Sequence, residues 1–464
     1  MRQLTRRGWF FGAVLWCVGL TSWLPAGEGT WKVGLARACI TPQEPLWMAG
    51  YAARTRPAEG AIHDLWVKVL ALEDGRGQRG VVVTSDLLGF PRDVAQAICE
   101  GIQQRCGLRR AQIMLTSSHT HSGPVIGTSL WDCYPLDETQ KERIRRYTAR
   151  LEKAVVAAVA EACSRRQPAT LWAGQGTAGF AVNRRNNRAN EVPELREAGK
   201  LRGPSDHRVP VLAVRSPEGR LLAVVFGYAC HNTTLAGYDW CGDYAGFAQL
   251  ALEEKYPELQ AMFYSGCGAD QNPLPRRSVE LCRQYGEQLA VAVQRVLEGD
   301  LEPLDPQLAT AWKIVRLRYG QQPTREELAA LASGANYRSR WARRLLGELD
   351  AGQRWETDYP YPVQVWRLGR DQLWIVLGGE VVVDYALRFA NQYGPRCWVA
   401  AYANDVMAYI PSHRVWEEGG YESGAFPVYG LPAQRWEEGI EEKIAAAVAE
   451  LAEQVGSLQP AGSP

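Results

Sequence analysis

Ile113-Met114-Leu115-Thr116-Ser117-Ser118-His119-Thr120-His121-Ser122-Gly123-Pro124 carries the reading of this chain. An apolar triplet runs into a polar stretch that holds two of the chain's six histidines. Residues two apart in an extended chain point the same way, so His119 and His121 project to one side. The flanking Ser, Thr, Gly and Pro suit a loop leaving a strand. Two readings are open on this run alone. One is a turn with two hydrogen-bonded histidines. The other is a metal or catalytic site, because imidazole binds metals and handles protons near neutral pH.

Upstream, Arg79-Gly-Val-Val-Val-Thr-Ser-Asp86 has the pattern of a buried strand, and Val94, Ile98 and Ile102 mark a helix by their i, i+4 spacing. The unit is therefore strand–helix–strand, with the histidines at the carboxyl end of the second strand, where open α/β sheets place their sites. The pattern recurs. Leu221 to Phe226 reads as a strand running into Tyr228-Ala-Cys-His231, a helix follows over 245–255, and 261–264 forms another strand. Asp137 and Gln140 resemble a capping box opening a helix with Ile144, Tyr147, Leu151, Val155 and Val159 inward. Residues 164–210 read as polar loops around a strand near 169–173. Residues 278–298 are helical, 323–350 form a charged helical hairpin between strand regions, and 372–377 and 397–402 are strands. An amphipathic helix over 434–454 closes the chain. With no repeat and no linker, one large α/β domain is expected, with mixed β-sheets flanked by helices and the candidate site at strand carboxyl ends.

Composition narrows the function. At 46% hydrophobic and 22% charged residues the chain builds a full core. A net charge of +1 gives no electrostatic case for nucleic acid. Arg2, Arg6 and Arg7 precede an apolar stretch, Trp9 to Leu24, and Pro25-Ala26-Gly27 offers small residues for cleavage. Thr5-Arg6-Arg7-Gly8-Trp9-Phe10 also resembles a twin-arginine signal. Export to the periplasm or medium is expected, with an uncleaved membrane anchor as the rival, although the stretch is short for a full span. Ten of the eleven cysteines follow this segment, without C-x-x-C pairs, which argues against a zinc finger or redox motif.

Metal-capable residues recur at the ends of these strands: His119 and His121, His231, Asp270, Glu380 and Tyr409. Two histidines and a carboxylate are a common catalytic zinc set with an open position. Each also has a plainer role: His231 as a structural histidine, Glu380 as a helix N-cap neighbour, Tyr409 as core, and Asp270 as the holder of a turn in Gly266-Cys-Gly-Ala-Asp-Gln-Asn-Pro273.

Several segments, in order, resemble the neutral (alkaline, non-lysosomal) ceramidase family. His119 to Pro124 resembles its T-H-T-H-S-G-P signature, Ala229-Cys-His231-Asn-Thr-Thr its A-V-H-x-T-S, and Gly242-Asp-Tyr-Ala-Gly-Phe-Ala248 its S-D-N-K-G-Y-A. Gly378-Gly-Glu380 resembles P-G-E, and Asn404 to Tyr421 resembles N-x-Y-x-x-Y-I followed by x-Y-E-G-A. The resemblance spans roughly residues 31–430. It implies a zinc amidase that cleaves the N-acyl amide of ceramide to sphingoid base and fatty acid, with peripheral membrane contact. It implies His119, His231, Glu380 and Tyr409 as zinc ligands and His121 as the catalytic neighbour, with Tyr409 alternatively donating to an oxyanion. His63, Asn183 and Arg184 match segments near the substrate, and Asp86 is a candidate partner for a zinc-bound histidine.

Two departures stand out. The family's G-D-x-S-P-N keeps its aspartate as Asp270, but Asn272 stands where the serine would be. Asparagine cannot be an acylated nucleophile, so water is the expected attacker, with Asp270 orienting or deprotonating it. Family members typically carry an immunoglobulin-like domain after the catalytic one, whereas this sequence is expected to hold the catalytic domain with only a helix and tail after it. The expected layout is a signal peptide over 1–27, a catalytic domain over 28–455 and a disordered tail over 456–464. Trp341, Leu345, Leu346 and Trp355 either rim a substrate cleft or pack the helical hairpin. Alternative functions are a zinc hydrolase of the same fold acting on another amide, ester or glycoconjugate, and a non-catalytic metal- or lipid-binding relative.

Overall fold

A computed structural model describes residues 30–456. The signal-peptide segment and residues 457–464 of the expected tail lie outside the described residues. Alternate residues of each strand enter different cores, as the period of two requires. In Arg79–Ser85, Val81 and Val83 face one apolar cluster while Val82 faces another. In Gln372–Leu377, Ile375 and Leu377 face one side, and Trp374 and Val376 the other.

The shared inner cluster lies between two sheets. Val82, Met114, Val225, Met262 and Tyr264 from a nine-stranded sheet meet Trp366, Trp374, Val376 and Trp398 from a four-stranded one. Trp366 and Trp374 are fully buried here, and truncating such a side chain costs about 3–5 kcal/mol. Helices Arg92–Cys106, Glu138–Ser164, Asp243–Lys255 and Val279–Glu298 cover the outer face of the large sheet. Val383–Tyr393 and Ile440–Gln454 cover the outer face of the small one. The result is a four-layer α/β domain with mixed sheets, in agreement with the expected class.

Three parallel strand pairs organise it. Arg79–Ser85 pairs with Ile113–Leu115, Leu221–Tyr228 with Gln260–Ser265, and Gln372–Leu377 with Cys397–Ala400. One helix crosses over within each pair: Arg92–Cys106, Asp243–Lys255 and Val383–Tyr393. The other pairings inside the two large sheets are antiparallel. The carboxyl ends of the three units are stitched together. Asn404 N donates to Leu115 O at 2.7 Å, Ala401 N to Ser265 O at 2.9 Å, and His121 N to Asn232 O at 3.2 Å.

Several elements differ from the sequence reading. The strand expected near 169–173 extends over Gln167–Thr177 because Gln167–Ala169 pair with Trp31–Val33 and Thr170–Thr177 with Arg208–Arg215. The last helix begins at Ile440, since Gly439 takes a left-handed φ of 84°. Asp137 accepts from Gln140 N, which is one half of the expected capping box. The helical hairpin, Arg325–Ala332 and Tyr337–Asp350, is inserted between the paired strands Leu308–Arg318 and Asp358–Leu368. Trp341 and Leu345 pack inside it with Leu328, and Trp341 also borders a cavity of ≈ 780 Å³ with Trp416 and Trp436.

Candidate metal centre

The three units deliver their functional residues to one place. His119 follows the second strand of the first unit, whereas His231 and Glu380 follow the first strands of the second and third, ahead of their crossover helices. His119 sits at φ 58°, and nearby Tyr402 and Asn404 sit at 51° and 62°. Left-handed backbone is rare outside glycine and persists only where the surroundings hold it. Here the Tyr402 ring packs on His119 with centroids 4.2 Å apart, and the Asn404 side chain accepts from Leu115 N.

The orientation of each imidazole follows from its far nitrogen. His119 Nδ1 lies 2.7 Å from Leu88 O, and His231 Nδ1 lies 2.7 Å from Gly268 O. A carbonyl only accepts, so both Nδ1 atoms donate, and in the neutral imidazole the Nε2 lone pair then faces inward. Burial, with Arg184 nearby, lowers His231 to about 4, so it is neutral near pH 7. His231 Nε2 nonetheless stands 3.0 Å from Glu380 Oε2, and His119 Nε2 stands 3.2 Å from the same oxygen. Lone pairs and a carboxylate converge in a site where all three residues are at most 3% exposed. Such a set of donors is stabilised by a proton or a metal ion held among them. A metal ion fits this donor set.

His121 belongs to the same cluster on different terms. Its Nε2 is 3.3 Å from His119 Nε2, and one ligand atom from each of the three histidines fits within 4.8 Å. Unlike the other two, its Nδ1 has no hydrogen-bond partner. It is seated by Tyr51, ring centroids 4.7 Å apart, and by Gly50. At Gly50 (φ 101°) a Cβ would meet His121 Cγ at 2.4 Å, so only glycine fits.

Tyr409 and Glu380 are in register through the parallel pairing of their two-residue strands. Gly379 supplies the φ of 71° that precedes Glu380. The Tyr409 ring stacks over His231 at 6.5 Å, and its hydroxyl accepts from Arg184 Nη2 at 3.3 Å. Arg184 also donates to Glu422 Oε1 at 2.8 Å and to Asn272 Oδ1 at 3.5 Å. Arg185 donates to Glu422 Oε2 at 2.6 Å. Asn272 and Arg184 thus lie beside Tyr409 on one rim.

Other expected site residues sit further out. Asp270 bonds neither histidine. Its Oδ1 accepts from Val383 N at 2.8 Å, at the start of the third crossover helix, and its Oδ2 accepts from Asn183 Nδ2 at 3.0 Å. Burial pushes its carboxyl up to about 6. His63 lies behind the histidine loop, with Nε2 3.3 Å from Cys241 Sγ and Nδ1 3.0 Å from Asp64 O. Asp86 accepts from Trp66 N, and the partner of His119 is instead the Leu88 carbonyl two residues on. Sequence reasoning missed Tyr429, whose hydroxyl donates to Glu380 Oε1 at 2.5 Å, as well as Leu88, Gly268 and Tyr402. Main-chain carbonyls carry no side-chain signal, whereas Tyr429 lies only eight residues past Tyr421, where the motif resemblance ends.

An α/β fold with a buried, three-histidine, metal-capable centre at its strand ends defines the class. A family model described as neutral/alkaline non-lysosomal ceramidase, N-terminal, matches residues 31–301. The chain belongs to that family. It is 24% identical over 328 residues to the neutral ceramidase of Pseudomonas aeruginosa, covering 64% of this chain and 48% of that protein. Neutral ceramidase B of Dictyostelium discoideum is 23% identical over 237 residues, covering 50% of this chain and 32% of that one. The chain therefore spans about half or less of the curated relatives it matches. The crystal structure of the Pseudomonas neutral ceramidase superposes with a TM-score of 0.68 at 19% identity, over 94% of this chain and 77% of that one. A structure described as ceramidase complexed with C2 superposes with the same TM-score at 18% identity, over the same shares of each chain.

Proposed function

We propose that this chain is an exported, zinc-dependent amidohydrolase that cleaves the N-acyl amide of ceramide or a related N-acyl lipid, and that residues 28–455 form one catalytic domain. The convergence of two fixed Nε2 lone pairs and one carboxylate oxygen, in a chain of this family, carries the reading. His119, His231 and Glu380 hold the metal, with Tyr409 as the fourth donor. A bound zinc supplies Lewis acidity, polarising a carbonyl and making water more acidic.

The protein's own groups do the rest. His121, with its Nδ1 unanchored, takes a proton from the attacking water and returns it to the amine as the C–N bond breaks. Arg184 holds the Tyr409 hydroxyl and faces the developing negative charge from the rim. Asp270 acts at a distance: it ties Asn183 and the start of the Val383–Tyr393 helix and so fixes the segments that carry Arg184 and Glu380. Asn272 at the serine position favours direct attack by water, and it also keeps open a different amide, ester or glycoconjugate as substrate.

The basic and apolar start of the chain supports export, with peripheral contact to a lipid surface. Among the described residues, no helix is long and apolar enough to cross a membrane. The test is fatty-acid release from labelled ceramide by the purified full chain. Release that a chelator abolishes and zinc restores is expected. Release that ignores the chelator overturns the metal role, and a zinc-loaded protein inert on ceramide overturns the substrate.

A further inference from the structure

Glu380 uses its two oxygens differently. Oε2 faces His231 and His119 at 3.0 and 3.2 Å, whereas Oε1 accepts from the Tyr429 hydroxyl at 2.5 Å. A carboxylate free to rotate offers either oxygen, or both, to a cation. A phenol donating to one oxygen fixes the plane of the group and leaves the other as the sole inward donor.

Tyr429 is itself held from outside the centre. It ends the short helix Phe426–Tyr429, and the main chain on either side is tied down. Cys133 Sγ donates to Val428 O at 3.0 Å. Arg344 Nη2 donates to Gly430 O at 2.6 Å, and Trp341 Nε1 to Leu431 O at 2.9 Å. Both of those last donors belong to Tyr337–Asp350, the second helix of the inserted hairpin. Arg344 is anchored in turn by Asp132 and Glu348. At Gly430 (φ 77°) a Cβ would stand 3.1 Å from Arg344 Nη2, so the guanidinium lies close against that turn.

We propose that Tyr429 is a positioning residue for Glu380, and that the inserted helical hairpin sets the metal carboxylate's orientation by gripping the chain around Tyr429. The inference rests on the metal-centre reading above. It assigns the insertion a role in tuning the centre.

The experiment is zinc affinity of the purified full chain, measured by competition with a chromophoric chelator. Tyr429→Phe should bind zinc ten- to a hundredfold more weakly, the usual effect of removing a group that orients a metal ligand. Its kcat on ceramide should fall while KM stays within about twofold, and the melting midpoint of the zinc-free protein should stay near wild type. Arg344→Lys keeps the charge but loses the forked contact to Gly430 and Asp132, and its zinc affinity should fall between the two. Wild-type zinc affinity in Tyr429→Phe overturns the role of Tyr429, and wild-type affinity in Arg344→Lys overturns the role of the hairpin. If Tyr429→Phe does not fold, Arg344→Lys decides the question alone. A wild-type chain that binds no zinc removes the metal centre and this inference together. Zinc binding that is lost in His119→Ala but intact in Tyr429→Phe removes this inference only.

Discussion

The floor of the centre and its rim are built from the same kinds of group and balanced in opposite ways. On the floor, His119, His231 and Glu380 aim acceptors at one another, and their only donors are turned outward to Leu88 and Gly268. At the rim, Arg184 and Arg185 share the two oxygens of Glu422, so every buried charge there meets its opposite. The rim is complete as it stands. The floor instead gathers a donor set that fits a cation. Burial makes that difference consequential, because an unpaired charge away from water is far costlier than one at the surface.

The sharpest way to break the comparison is at the floor. His119→Ala should lose at least about a hundredfold in metal affinity, and activity with it, whereas His121→Ala should keep most of its metal and lose turnover. Metal analysis and ceramide hydrolysis on both variants check this. Retention of metal in both would remove His119 from the ligand set, and loss in both would make His121 a ligand.

At the rim, Glu422→Gln should act on stability rather than on metal. It leaves Arg184 without a carboxylate, while Arg185 keeps Glu418, and should cost about 3 kcal/mol by chemical denaturation, with zinc binding unchanged. A change in zinc affinity without loss of stability would mean that floor and rim are one electrostatic unit.

The smallest effect belongs to Asp270, which is neither floor nor rim. Its carboxyl rises from its ordinary 3.8 to about 6 in the fold. The folded chain therefore binds the proton more tightly than the unfolded chain does. Stability from this group is full below about pH 4 and is lost as pH rises toward 6, by no more than about 3 kcal/mol. Asp270→Asn should flatten that part of the stability–pH curve. An unchanged slope between pH 4 and 6 would show that Asp270 is not the group responsible.

The first two strand–helix–strand units were legible because their strands are short apolar runs, and because each turns polar just where the sheet ends. The third was only half legible. Gln372–Leu377 reads as a strand, but the helix Val383–Tyr393 starts two residues after the two-residue strand Glu380–Val381, too soon for a separate turn signal. Gln167–Thr177 was read short because Gly174, Gln175 and Gly176 lack β-propensity and owe their conformation to the partner strand. At the centre, the side chains carrying nitrogen or carboxylate stood out by scarcity and position. The groups that aim them did not, since Leu88 and Gly268 act through carbonyls that every residue possesses.

The three-unit layout has a consequence for how the chain can be divided. Both histidine loops fall inside residues 31–301, the stretch matched by the family model, but Glu380 comes from a unit that begins afterwards. A fragment ending at 301 would keep every imidazole of the centre and none of its negative charge. It would also strip the cover from Val82, Met114, Val225 and Met262, which now rest on Trp366, Trp374 and Trp398. The carboxylate and the lid of the inner core therefore arrive on the same piece of chain, so the centre is assembled only once the whole sandwich has closed.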